Sequence, residues 1–385
     1  MTTARPIRLL AFALPLAASL AGAQAPTSPP APAPLEPTHL PPIHETTLPD
    51  GLRMIVVESH HLPTLALTLA LPAGDVADPA GKEGLASMTA NLLVKGAGSR
   101  SAEQVSSAIE GVGGAINAGT TADLLTVSAN ALSSDAALVF ELIGDAVSRP
   151  TFDQKEIDLA KTQRLSSLQL QLSQPAVIAT RTFDRELYGS SSYARSASPA
   201  SVGTIARDDI VAFHRSHVRP RGAILVVSGD IDLATAKRLA TNAFQGWTGA
   251  PVALPALGAP KRRTKTEIVL VHRPSSVQAN VVVGNATFPA SDPRAYAMLV
   301  ANRVLGGGTA SRLFQILREQ KSWTYGSYSS VSRTRGVGEF TATVEARNAV
   351  VDSALVELLA QLRRLRTEPL TGADFTNARD AIVGS

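Results

Sequence analysis

The stretch GLASMTANLLVKGAGSRSAEQV, Gly84 to Val105, decides how this 385-residue chain is built, because most of it returns later in the same order of residue types. Met88 to Val105, MTANLLVKGAGSRSAEQV, can be laid on Leu299 to Ile316, LVANRVLGGGTASRLFQI. Each copy reads as an apolar helix, a Gly loop and a second helix. Working outward, SSDAALVFELIGDAV (Ser133–Val147) lies on AVVDSALVELLAQLR (Ala349–Arg363), and both stripes have core-facing helical spacing. Strand-like runs flank each copy: LRMIVVES, TLALTLALPAG and LLTVSANAL in the first, ANVVVGNATF and GEFTATVEAR in the second. The first copy adds helices over Phe152–Leu172 and Arg207–His217 and the strand GAILVVSGDID. The pattern predicts two copies of one α+β unit, residues 43–250 and 265–385, joined by a Pro- and Lys/Arg-containing linker over 251–264. The second copy ends within the helix DFTNARDAIVGS, about sixty residues short of the first, which predicts a C-terminal truncation with an apolar face left uncovered.

Composition narrows the functional classes. The N-terminus carries Arg5 and Arg8, an apolar run from Leu9 to Leu20, and small residues at Ala21 and Ala23. That is the layout of a signal peptide cleaved after Ala23, and the run is short for a membrane span of roughly 20 residues. Residues 24–42 are Pro-rich and read as an extended tether. Without Arg5 and Arg8, 34 Lys and Arg face 32 Asp and Glu, so the mature chain offers no electrostatic case for nucleic acid. It has no cysteine, hence no thiol nucleophile, disulfide or Cys-based zinc site.

Four segments in order resemble peptidase family M16, the pitrilysin and insulinase type, closest to its short two-domain bacterial members. They are LPDGLRMIVVES, AGKEGLASMTANLLVKGAGSRSAEQVSSAIEGVGGAINAGTTAD, LYGSSSYARSASPASVGTIARDDIVAFHRSHVRPRGAILVVSGDID and LGGGTASRLFQILREQKSWTYGSYSS. The resemblance implies two homologous α/β sandwich domains of the LuxS/metallohydrolase-like kind. Active members carry H-x-x-E-H on a helix, two His for Zn²⁺ and a Glu that takes a proton from metal-bound water, with a third ligand on a later helix. Aligned on Gly84-Leu85-Ala86 and Lys95-Gly96, the two His positions fall on Ser87 and Asn91, the Glu on Ala90, and the distal ligand near Ser167. Ser and Asn are weak neutral donors and Ala90 has no proton acceptor, so the expectation is a degenerate zinc site and no metal in this chain.

The family also places an Arg and a Tyr seven residues apart in the second domain, beside the scissile carbonyl. LREQKSWTYGSY supplies Arg318 and Tyr325 at that spacing. A guanidinium can hold a peptide carbonyl and a phenol can stabilise an oxyanion. By residue type alone, Arg318 is a solvated helix residue and Tyr325 begins a strand, and Tyr328 is a rival for the phenol role. Gly306, Gly307 and Gly308 read as a flexible loop near substrate or a plain interhelical turn.

What the resemblance implies is a zinc-less subunit that pairs with an H-x-x-E-H partner, zinc residing in that partner. A peptide or unfolded polypeptide would be the substrate and the periplasm the compartment. A peptide-binding or scaffold protein of the same fold is the alternative, and an active peptidase with unusual ligands a third reading. Elsewhere, His214 and His217 are three apart and could share a helical face, although a helix C-terminus suits histidine equally. His60 and His61 sit in a polar turn, and PKRRTK reads as a solvated charge run.

Overall fold

The computed structural model describes residues 40–261 and 263–384; the expected signal segment and most of the Pro-rich tether lie outside the described residues. The first half holds strands β1 (Ile43–Thr47), β2 (Arg53–Glu58), β3 (Thr64–Leu71), β4 (Ala115–Thr120), β5 (Leu125–Leu132) and β6 (Ile224–Gly229). They form one sheet in the order β1-β2-β6-β3-β5-β4, parallel at β2/β6 and antiparallel at every other junction. Its helices are α1 (Leu85–Leu93), α2 (Ala102–Glu110), α3 (Ala136–Ser148), α4 (Gln154–Ser173), α5 (Pro175–Tyr188), α6 (Pro199–Gly203), α7 (Arg207–His217) and α8 (Leu233–Ala243).

Period-2 alternation fixes which face of this sheet is covered. Leu65, Leu67, Leu69 and Leu71 of β3 are buried, as are Leu125, Val127, Ala129 and Ala131 of β5. In register, Leu67 meets Ala129 on one side and Val227 on the other, and Leu69 meets Val127 and Leu225. The opposite face is polar, with Thr68 and Ser128 hydroxyls 3.2 Å apart across β3 and β5. Helices therefore cover one face of an antiparallel-rich sheet and leave the other wetter.

Local signals set the helix boundaries. Ser101 and Gln104 close a capping box at the start of α2. Pro175 at the first turn of α5 stops α4 and starts a new helix without sacrificing a needed N–H. The structure adds α5 and α8, which the sequence reading does not separate from the segments around them.

The second half holds β7 (Gln278–Ala286), α9 (Ala295–Leu305), a π-helical segment at Phe314–Gln320, β8 (Thr324–Val331), β9 (Glu339–Arg347), α10 (Val351–Thr367) and α11 (Gly372–Val383). Its sheet runs β7-β9-β8, antiparallel throughout, which repeats the order β3-β5-β4 of the first half. Behind it Leu305, Leu313, Leu317, Val344 and Leu358 form a second core. The expected duplication and mixed α+β class are both present. Among the described residues this sheet has three strands against six in the first, β7 is paired on one side only, and Ile268, Leu270 and Val277 are exposed.

The halves meet at α5 and at the tip of the β8–β9 hairpin. The helix α5 packs on β7, where a Cβ on Gly284 would lie 2.6 Å from the ring of Phe183. The tip of the β8–β9 hairpin reaches back to the first half: the Arg335 amide donates to Asp123 (2.7 Å), the Gly336 amide donates to the Tyr193 hydroxyl (3.0 Å), and that hydroxyl donates to Asp123 (2.9 Å). The linker follows this seam. The Lys261 amide donates to the Leu187 carbonyl (3.1 Å) and the Arg335 guanidinium to the Pro255 carbonyl (2.9 Å). The expected solvation of PKRRTK does not hold for Arg263, which is largely buried, donates to the Glu186 carbonyl and pairs with Glu267. Its aliphatic stem lies against protein while the head finds acceptors, a placement that charge counting cannot see.

In α3, a Cβ on Gly144 would run into the Ala243 carbonyl at the end of α8. Gly144→Ala should therefore destabilise the first half by about 1–3 kcal/mol despite the better helix propensity of Ala, because overpacking a tight helix contact outweighs it. Chemical denaturation of the purified variant would show it as a lower midpoint.

Candidate functional site

The positions singled out on α1 fall on two sides of that helix. Ser87 is half-buried and Asn91 exposed, while Ala90 is fully buried, packed with Leu85, Ala86, Met88, Leu92 and Leu93 in the first-half core. The helix lies against β4 and β5 and is met by α4. Ser167 stands on α4, exposed, its hydroxyl accepting from Gln171 at 3.3 Å.

The start of α1 is fixed from outside the helix. Gly84, at φ 104°, adopts a left-handed conformation there, close to Ala197 and Val202. The buried carboxylate of Asp78 accepts from the amides of Gly84 (2.6 Å) and Ala86 (2.7 Å), so it serves two of the donors that a helix start leaves unpaired. Burial pushes this carboxyl up to about 6, against the pull of those two amides and of Arg195. Arg195 in turn donates to the carbonyls of Asp78 (2.8 Å) and Val76 (3.3 Å). Neither Asp78 nor Arg195 was singled out from sequence. Asp78 lies six residues before Gly84, outside any N-cap spacing, and only the folded loop brings it to the helix.

The donor set at the metal positions does not fit zinc. The hydroxyls of Ser87 and Ser167, the amide of Asn91 and the buried methyl of Ala90 supply no anionic or imidazole ligand, and among the described residues no three His, Cys, Asp or Glu side chains gather into a metal-binding group. The histidines weighed as ligands are engaged otherwise. His214 bonds the Val147 carbonyl (2.9 Å) and meets Phe152 edge-on, and His217 stacks on Phe213 with centroids 4.3 Å apart. Burial lowers both pKa values, so these side chains are neutral packing groups rather than cations at a helix end. His60 pairs with Asp230 at 2.7 Å in its surface turn.

In the second half, Arg318 sits inside the π-helical segment, a rare conformation found often at functional sites. Its guanidinium lies over the Phe314 ring, 4.8 Å from the centroid. The same ring lies 5.6 Å from that of Tyr328, so Phe314 joins Arg318 and Tyr328 in one patch. Tyr325 stands apart and is 87% exposed, at a break in the β8/β9 register between Thr324 and Ser327. Among the described residues no hydrogen bond or ion pair joins Arg318 or Tyr325 to Ser87, Asn91 or Ser167.

The Gly306–Gly308 loop is braced. Gly306 runs against β8, where a Cβ would collide with the backbone of Ser329, whose amide donates to the Gly306 carbonyl at 2.9 Å. Arg303 holds the Gly307 carbonyl (2.5 Å) and Ser311 holds that of Gly308 (2.5 Å). Gly306 is needed for close approach to the strand that carries Tyr325 and Tyr328, whereas Gly307 and Gly308 lie against Arg303 of α9.

Residues 53–196 match the profile of insulinase, peptidase family M16, and residues 204–382 match the profile described as the peptidase M16 inactive domain. The chain belongs to peptidase family M16. Similar proteins include an uncharacterized zinc protease of Streptomyces coelicolor, 27% identical over 350 residues, covering 89% of this chain and 76% of that protein. Another is an uncharacterized zinc protease of Bacillus subtilis, 23% identical, covering 89% of this chain and 83% of that protein. A crystal structure described as a peptidase M16 inactive domain from Pseudomonas fluorescens shares the fold, with TM-score 0.82 and 24% identity over 89% of this chain and 84% of that one. A protease from Helicobacter pylori has TM-score 0.84 at 18% identity, covering 90% of this chain and 85% of that one.

Two outcomes are expected. Asp78→Ala leaves two buried amides unpaired at the start of α1 and should cost about 1–3 kcal/mol in a denaturant titration. The wild-type protein, equilibrated with Zn²⁺ and then freed of loose metal by gel filtration, should carry well under one zinc per chain by elemental analysis.

Proposed function

We propose that this chain is the zinc-less subunit of a two-chain M16 peptidase, binding the substrate peptide and completing a partner's active site. One observation supports the reading: Ser87, Ala90, Asn91 and Ser167 stand where the family resemblance expects the zinc site, yet Arg318 and Tyr325 stand at the family spacing and on the surface. A chain kept only as a scaffold has no use for a guanidinium and a phenol at that spacing.

In this proposal Arg318, steadied on Phe314, donates to a carbonyl of an extended peptide. The Tyr325 hydroxyl, projecting from the register break of β8, donates to the oxyanion that forms when the scissile carbonyl is attacked. The attacking water, its metal and its general base belong to a partner subunit with an intact H-x-x-E-H helix. Export through the N-terminal segment places the complex in the periplasm, and no helix among the described residues is long and apolar enough to cross a membrane. Complex III2 from Candida albicans contains a chain of the same fold, with TM-score 0.73 at 14% identity. The fold alone is therefore compatible with a scaffold as well, and Arg318 and Tyr325 are what favour the peptidase subunit.

The test is hydrolysis of a quenched peptide library by the mature chain, by an H-x-x-E-H partner, and by the mixture. Activity should appear only in the mixture. Arg318→Ala and Tyr325→Phe should each lower it by about 10²–10³, the size expected for losing one oxyanion or carbonyl donor. No gain on mixing, or a gain indifferent to both substitutions, would leave a scaffold or peptide-binding role in its place.

A further inference from the structure

The seam between the halves contains an acidic pair with no role in the peptidase proposal. Asp184 lies on α5, one residue after the Phe183 that packs on Gly284, and Glu339 opens β9. Asp184 Oδ1 and Glu339 Oε2 are both buried and neither has a hydrogen-bond partner among the described residues. Thr287 Oγ1, just beyond β7 and beside Gly338, is buried and unpartnered as well. These atoms meet where α5, the end of β7 and the loop end of the β8–β9 hairpin come together.

The surrounding groups do not neutralise the pair. On α5 itself, Arg181 faces Asp184 but spends a donor on the Ala197 carbonyl (2.7 Å), and burial lowers its own pKa. Arg164 of α4 lies beyond Arg181 and is drawn to Asp75, and its Nε is itself buried without a partner. Tyr188, one turn along α5, hydrogen-bonds Glu339 and Ser332. The strand β7 brings no ionisable side chain to the seam. At the hairpin tip, Arg335 is turned to Asp123.

We propose that Asp184 and Glu339 form a pH-operated latch between the two halves, holding α5 against the β8–β9 hairpin in acidic medium and loosening it as the medium becomes neutral. Two buried like charges across one seam disfavour the closed arrangement, and a proton on either removes the repulsion. Burial, then the nearby Glu339, push the Asp184 carboxyl up to about 7, and burial also raises Glu339. The sign follows. When the seam opens, Asp184 returns to the ordinary carboxylate range near 4, so the closed form binds the proton more tightly. The stabilisation is complete below that range, falls as pH rises, and is lost once pH passes about 7.

The amides of Arg335 and Gly336, which donate across the seam, report its opening directly. Hydrogen–deuterium exchange of the Ser332–Glu339 segment would be measured in the full chain at pH 5 and 7.5 and corrected for the intrinsic rate. One titrating proton changes the opening constant by at most about tenfold per pH unit, so protection should fall by up to about a hundredfold over this interval. The β5 segment, Leu125–Leu132, should not follow. Asp184→Asn should show little pH dependence over the interval. Glu339→Gln, which keeps the bond to Tyr188 possible and removes the like charge, should move the fall to lower pH. A pH-independent wild type, an equal fall in Asp184→Asn, or loss of β5 protection in parallel with the hairpin would each overturn the latch.

Discussion

The close approach of Phe183 to Gly284 is the contact on which the arrangement of the two halves depends. A helix of the first half lies on the first strand of the second sheet, and there is room for it only because position 284 has no side chain. Once α5 is seated, its C-terminal end, the linker and the hairpin tip converge. Lys261, Pro255, Arg335 and Tyr193 then find backbone or hydroxyl partners from the opposite segment. The seam is rich in polar groups, which suits a contact whose strength can vary, unlike the Leu and Val layers that hold each sheet to its own helices.

Helix α1 keeps its place through hydrogen bonds at its start and packing along its body. The start of α1 is held by Asp78 and Arg195, and its body by Leu85, Met88, Leu92 and Leu93 in the core. Ala90 shares that packing, whereas half-buried Ser87 and exposed Asn91 lie outside the core. Ser87 and Asn91 can therefore vary without loss of the helix.

In the second half the site is organised by a flat aromatic ring. Phe314 lies under the Arg318 guanidinium and beside Tyr328, while Tyr325 leaves the strand at a register break and meets solvent. A planar cation over a ring retains its outward N–H donors, so stacking orients Arg318 without consuming its hydrogen-bonding capacity. The braced glycine loop sets β8 against α9, and this fixes where both tyrosines start.

Sequence alone determined the repeat, the alternation that buries one face of each sheet, most element positions, and the residue types at the metal and Arg/Tyr positions. These are local or periodic properties, and helix α7 appears over the same residues, Arg207–His217, that its spacing predicts. Tertiary structure decided the rest. Asp78 reaches α1 across a loop, Arg263 turns inward, His214 and His217 become half-buried packing groups, and Asp184 meets Glu339 from 155 positions along the chain. Each of these depends on the burial of a polar group, and burial is set by which distant segment lies on top of it. No window of neighbouring residues contains that information.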